Sequence, residues 1–219
     1  MTKKKVDICL LPFLFFIFLT SGCQKAYYGT MEKFGVHKRD IMVNRVEEAR
    51  DSQHEAKEQF QSALDQFSQV LNYKGGKLED KYKSLQAEYD KSEAKAEEVR
   101  DRIDAVENVS EALFAEWENE LDQYSSAALR QDSERKMKQT RIQYVQLITA
   151  MRKAEAKMVP VLSAFKDQVL YLKHNLNAQA IASLQSELVG VESDIADLIH
   201  EMDKSIGEAN SFIKTMLEE

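Results

Sequence analysis

Residues that turn or staple a chain are scarce in this sequence. Its 219 residues include 7 glycines and 2 prolines, too few to furnish the corners of a β-sandwich or the loops of a doubly wound sheet. Cysteine is nearly absent, at 2, which excludes a disulfide-framed fold. Positive charge is outnumbered: 30 Lys and Arg face 37 Asp and Glu, a formal net charge of −7 and the wrong sign for a nucleic-acid binder. Apart from one stretch near the N-terminus there is no long apolar run, so a multi-span membrane protein is excluded as well.

That one stretch reads as an address. Lys3, Lys4 and Lys5 precede an apolar run from Ile8 to Leu19, which suits the core of a signal peptide and falls short of the ~20 residues a membrane span needs. The run ends in Leu19-Thr20-Ser21-Gly22-Cys23. These residues resemble a bacterial lipobox, with Thr20 where the motif usually has Leu, and the resemblance implies cleavage before Cys23 and covalent lipid on it. Removing residues 1–22 takes away three Lys and one Asp and leaves the mature chain at −9. It also removes Cys9, so no thiol remains for a disulfide once Cys23 carries lipid. Two or more acyl chains anchor stably, because each buried methylene contributes about 0.8 kcal/mol. Gln24 after the Cys implies, by resemblance to enterobacterial sorting, the outer membrane rather than the inner.

Beyond Gly35 the apolar residues recur with a helical period. Alternate steps of three and four from Ile181 pass through Leu184, Leu188, Val191, Ile195, Leu198, Met202, Ser205, Ala209, Phe212 and Met216, and only Ser205 is polar. Ile199, Ile206 and Ile213 widen this stripe, as expected for a helix with more than one neighbour. Three earlier segments repeat the pattern. One runs from Val46 through Gln53, Phe60 and Phe67 to Val70; one from Leu78 through Tyr89, Val99, Ile103 and Trp117 to Tyr124. The third runs from Met137 through Arg141, Tyr144, Ile148, Met151, Glu155, Met158, Leu162 and Phe165 to Leu172. The expected reversals lie at Gly75-Gly76, between Ser125 and Ser133, and at Lys173-His174, with Asn175 or Asn177 capping the last helix. Helices of roughly forty residues, about 60 Å each, joined by short reversals must lie antiparallel. The expected fold is all-α, an elongated antiparallel bundle of about four long helices with coiled-coil-like packing, and Pro160 should kink the third. The domain expectation is a leader over 1–22, a lipidated linker over 23–36 and the bundle over 37–219.

From Ala26 onward the chain resembles a family of uncharacterised proteobacterial proteins, domain of unknown function 2959. The residues that carry the resemblance are Tyr27-Tyr28-Gly29, Met31-Glu32-Lys33, Val36-His37-Lys38-Arg39-Asp40, Phe114-Ala115-Glu116-Trp117-Glu118, Lys173 to Ala178 and Ala180 to Leu184. It implies an exported protein and brings no activity.

No constellation of catalytic residues stands out. His37, His54, His174 and His200 do not pair at metal-ligand spacing, and there is no His-Glu-x-x-His helix, Gly-x-Ser-x-Gly elbow or phosphate-binding Gly-rich loop. The expectation is therefore a non-enzymatic protein with no metal and no cofactor other than the lipid on Cys23. Two polar residues interrupt the third stripe, Arg141 and Glu155. Either they lie inside and need partners on facing helices, or the stripe drifts onto Val145 and Ala154 and leaves them at the edge. Trp117 at a stripe position is expected in the core. The segment from Lys25 to Arg39 interleaves Tyr27, Tyr28 and Phe34 with Lys25, Lys33, Lys38 and Arg39. These are candidates for the bilayer interface and its anionic headgroups, or a linker whose aromatics pack on the end of the bundle.

The expected function is a cell-envelope lipoprotein, a lipid-anchored helical scaffold or adaptor facing the periplasm. Its partners would be the membrane, through the anchor, and an envelope protein; self-association is open and nucleic acid is excluded. The alternative is a coiled-coil protein that binds or shapes membranes, which the net charge disfavours.

Overall fold

A computed structural model describes residues 37–72, 77–175 and 177–218. Among the described residues the secondary structure is four helices: α1 Lys38–Asn72, α2 Leu78–Leu121, α3 Ala127–His174 and α4 Ala178–Glu218. They contain 35, 44, 48 and 41 residues, so the rods are about 50 to 70 Å long. Each packs on the helix before and after it, and α4 packs on α1, closing one ring. Cross-links show the antiparallel sense. Lys38, Glu48 and Glu55 of α1 meet Glu116, Arg102 and Lys95 of α2, the numbers falling as those of α1 rise. This is the expected up-down bundle.

The caps follow local chemistry. Ser126 accepts from the Leu129 N–H at the start of α3, and Asn177 Oδ1 accepts from the Ala180 N–H at 2.9 Å. Asn175 ends α3, its own N–H donating to the Tyr171 and Leu172 carbonyls. The α2–α3 turn falls at Asp122–Ser126, earlier than expected, and Ser133 lies inside α3. Tyr124 is in that turn and 42% exposed, not in the core. Gly75-Gly76, Cys23, Lys25, Tyr27, Tyr28, Lys33 and Phe34 lie outside the described residues.

Two helix C-termini are completed by a neighbouring helix. Neither α1 nor α4 has a basic residue in its last turn, yet cations suit the partial negative charge of that end. Lys81 of α2 donates to the Val70 carbonyl of α1 at 2.9 Å, and Arg39 of α1 donates to the Met216 carbonyl of α4. The bundle is thereby tied at both ends by hydrogen bonds that no single helix could make.

The core runs the length of the rod. In α4 every expected stripe residue from Leu184 to Met216 is buried, and Ile213 joins them while Ile199 and Ile206 are half-buried. In α3 Met137, Met151, Met158, Phe165, Val169 and Leu172 are buried as expected, while alternate positions of the seam lie one residue earlier. Thr140, Leu147, Ala154, Val161 and Gln168 are buried, whereas Arg141, Ile148, Glu155 and Leu162 flank the seam. Of the two residues onto which the stripe could drift, Ala154 is buried and Val145 is 53% exposed. The reason is that α3 also has apolar residues on its outer face, among them Ile142, Val159 and Leu170, so its own sequence does not single out one seam. Across the ring, Phe67 of α1 stacks on Phe165 of α3, centroids 4.4 Å apart. Pro160 lies on the exposed face of α3, and the helix continues through it.

Candidate functional site

The end of the bundle where α1 begins brings together two of the sequence words noted above. His37 starts the helix through its carbonyl, which accepts from the Asp40 and Ile41 N–H groups at 3.0 and 3.2 Å. Ile41, Met42 and Val43 are buried, so this first turn is held firmly against its neighbours. Lys38 Nζ then meets Glu116 Oε1 of α2 at 2.9 Å with its side chain only 10% exposed. Arg39 Nε donates to the Met216 carbonyl at 3.0 Å, and its Nη2 donates to the same oxygen. Both candidate membrane-interface cations that lie in the described residues are thus engaged by the bundle itself. Beside them is a cavity of about 170 Å³ lined by Arg39, Leu113, Glu116, Trp117, Glu120 and Met216. Trp117 is half-buried with Phe114, Leu121, Met137 and Tyr144, apart from the main core. Its Nε1 donates to Ser133 Oγ at 2.8 Å. Nothing lining this cavity is a nucleophile paired with a base, and its size admits a few waters rather than a substrate.

The two polar intrusions of α3 have different surroundings. Arg141 is not interior: it stands at the seam edge, 4.8 Å above the Phe114 ring and 2.9 Å from Glu118 of α2, because Thr140 takes the seam position beside it. Glu155 is largely covered. It accepts from Arg100 at 3.0 Å and from Arg152 at 2.7 Å, and Arg152 also binds Asp104 and Glu107. Glu107 foremost, with Asp104 and Glu155, holds the Arg152 proton above its ordinary range. This alternation of charge joins α2 to α3 and has no open coordination position; its role is to fix register.

A second polar pair had its signal in the sequence but not its partner. Gln53 and Ser205 each interrupt an apolar stripe, and the fold brings them together: Ser205 Oγ donates to Gln53 Oε1 at 2.8 Å between α1 and α4, both residues fully buried. The four histidines are all exposed, and His54 lies 3.4 Å from Glu58 on its own helix. Among the described residues no group of three His, Cys, Asp or Glu side chains is placed to hold a metal ion. Among the same residues no helix is long and apolar enough to cross a membrane.

One phenol is strongly perturbed. Tyr89 of α2 is buried, and its hydroxyl donates to Glu93 at 2.5 Å. Burial, and then the Glu93 hydrogen bond and charge, push its pKa up to about 12. The unfolded chain loses this proton near pH 10, while the folded chain keeps it. The folded state therefore binds more protons in this window, and stability falls as pH rises from about 10 towards 12. Phenolate absorbance should show Tyr89 titrating last, and Tyr89→Phe should flatten the alkaline decline in the urea midpoint. An unchanged decline in the variant would remove this assignment.

No curated protein matches the chain. A family model described as "Protein of unknown function (DUF2959)" matches residues 27–216, from eleven residues before α1 to two residues short of the end of α4. The chain therefore belongs to the DUF2959 family.

Proposed function

We propose that this protein is a non-enzymatic cell-envelope lipoprotein, a helical rod held to the membrane by lipid on Cys23 and serving as a scaffold or adaptor for a protein partner. The observation that carries this reading is the leader: three lysines, an apolar run from Ile8 to Leu19, and Thr20-Ser21-Gly22-Cys23 at its end. The architecture supports it in two ways. Only residues 24–37 separate the anchoring cysteine from the first helix, so the rod starts close to the bilayer. A closed four-helix ring laced by ion pairs between neighbouring helices offers a long, stiff surface on which a partner can be held. Outer-membrane placement, facing the periplasm, follows from Gln24 beside the anchor.

The test is the anchor itself. Protein with Cys23→Ala, exported behind a leader that is removed without lipidation, should leave the membrane fraction almost completely in high salt, because one modified sulfur supplies the hydrophobic attachment. The mature wild-type mass should exceed that of residues 23–219 by the mass of its acyl groups. A Cys23→Ala protein that stays with membranes, or a wild-type mass without lipid, would overturn the proposal.

A further inference from the structure

Near the α3–α4 turn the seam between these helices opens into a groove of about 720 Å³. Farther along, the same pair is laced by Lys153–Glu201 at 2.8 Å and Lys157–Asp197 at 3.3 Å. In the groove the lacing stops. Asp167 of α3 and Glu187 and Asp194 of α4 line it, no Lys or Arg does, and none of the three carboxylates forms an ion pair among the described residues.

Gln168 also lines this groove. It is only 4% exposed, and both its Oε1 and its Nε2 are shielded from solvent with no hydrogen-bond partner among the described residues. Such groups are costly to leave unmade. The neighbouring Gln185 donates to the Leu71 carbonyl at 2.8 Å; Gln53 and Gln143 each leave one buried polar atom without a partner, and among the described residues Gln168 alone leaves both. Ala164, Ser183, Ser186 and Gly190 keep part of the wall low, beside the larger Tyr171 and Leu184. At Gly190 an added Cβ would meet nothing within 4 Å.

We propose that this groove docks an extended, basic segment of a protein partner. Its lysine or arginine side chains reach Asp167, Glu187 and Asp194, and one of its peptide groups pairs with the Gln168 amide once that side chain turns out into the groove. The chemistry selects this occupant. A metal ion or a polyamine offers charge or donors only, satisfying Oε1 and leaving Nε2 without an acceptor. A helix consumes its own N–H and C=O groups internally, whereas an extended chain presents both. An anionic lipid surface meets three carboxylates and is repelled. Small side chains on the walls let a backbone approach closely. The inference rests on the adaptor reading above and names the kind of partner that reading requires.

The test uses the full-length protein in an uncharged detergent and two short labelled peptides, one of alternating lysine and threonine, one with glutamate in place of lysine. The lysine peptide should bind saturably, with affinity falling as salt rises, and the glutamate peptide should not. Gly190→Leu, which fills the groove at a position open to solvent, should weaken binding at least about tenfold. Asp167→Asn with Glu187→Gln and Asp194→Asn should weaken it similarly and flatten the salt dependence, with circular dichroism reporting an intact helical fold. Absence of binding, equal binding of both peptides, unchanged binding in Gly190→Leu, or displacement by spermine as effectively as by unlabelled peptide would each overturn the proposal. Cys23→Ala leaves the groove intact, so it should bind the lysine peptide like wild type; failure of the groove and failure of the anchor are therefore read in separate assays.

Discussion

Replacing Phe165 by alanine is expected to lower stability by about 4 kcal/mol, within the 3–5 kcal/mol typical of deleting a buried aromatic ring. Phe165 is fully buried in the middle of the ring of helices and stacks on Phe67, with the planes inclined by 18°. The two rings belong to α3 and α1, which are diagonal to one another rather than neighbours in the ring. Their contact therefore crosses the bundle axis, and neither helix can move in to fill the space without drawing its own neighbours along. Urea unfolding followed by circular dichroism should show the midpoint falling with little change in slope. The cycle with Phe67→Ala should return a coupling of about 0.5–1.5 kcal/mol, the part that belongs to the ring pair beyond its buried area. Strictly additive losses would mean that the rings merely occupy volume, and a loss below about 2 kcal/mol would mean that the core collapses into the gap.

The second large effect has the opposite sign. Pro160→Ala should stabilise the protein by about 2 kcal/mol. Proline within a helix removes one backbone hydrogen bond and crowds the carbonyl four residues earlier, here that of Ala156, a cost of about 3 kcal/mol. Against this, proline restricts the unfolded chain and contributes about 0.4–1 kcal/mol in the other direction. The helix continues through Pro160, and the ring faces solvent, so alanine meets no neighbour and restores the donor. In a domain of this size the gain corresponds to a rise in Tm of roughly 4–8 °C. An unchanged or lower Tm would show that α3 needs the local bend to seat Met158 and Val161, both buried beside it.

The bundle was legible in the sequence because helical amphipathicity is a property of one segment at a time. The stripe of α4 needed only its own residues, and its single polar member, Ser205, lies in the core as placed. The reversals at Ser126 and Asn177 follow from side chains that accept hydrogen bonds from helix N-termini. α3 was less legible. Apolar side chains on its outer face compete with those of the true seam, and Ala150 and Thr140 are too small or too polar to announce burial. Lys38 and Arg39 were legible as cations beside aromatics, but not as counter-charges for Glu116 and for the end of α4. The groove at Gln168 left no trace in the periodicity, since a glutamine on a seam reads as any other polar exception.

By itself the amino-acid order determined an all-helical bundle, the number and approximate ends of its rods and their alternating direction. Tertiary structure alone decided which face of α3 turns inward and that Gln53 meets Ser205. It also decided that Lys81 and Arg39 complete the ends of other helices, and that two helices part to leave three carboxylates and an amide without partners among the described residues. The division has a physical origin. A helix is specified by interactions three and four residues apart, which the sequence displays directly. Pairing across the bundle joins residues up to 177 positions apart, where the outcome depends on how four surfaces fit at once.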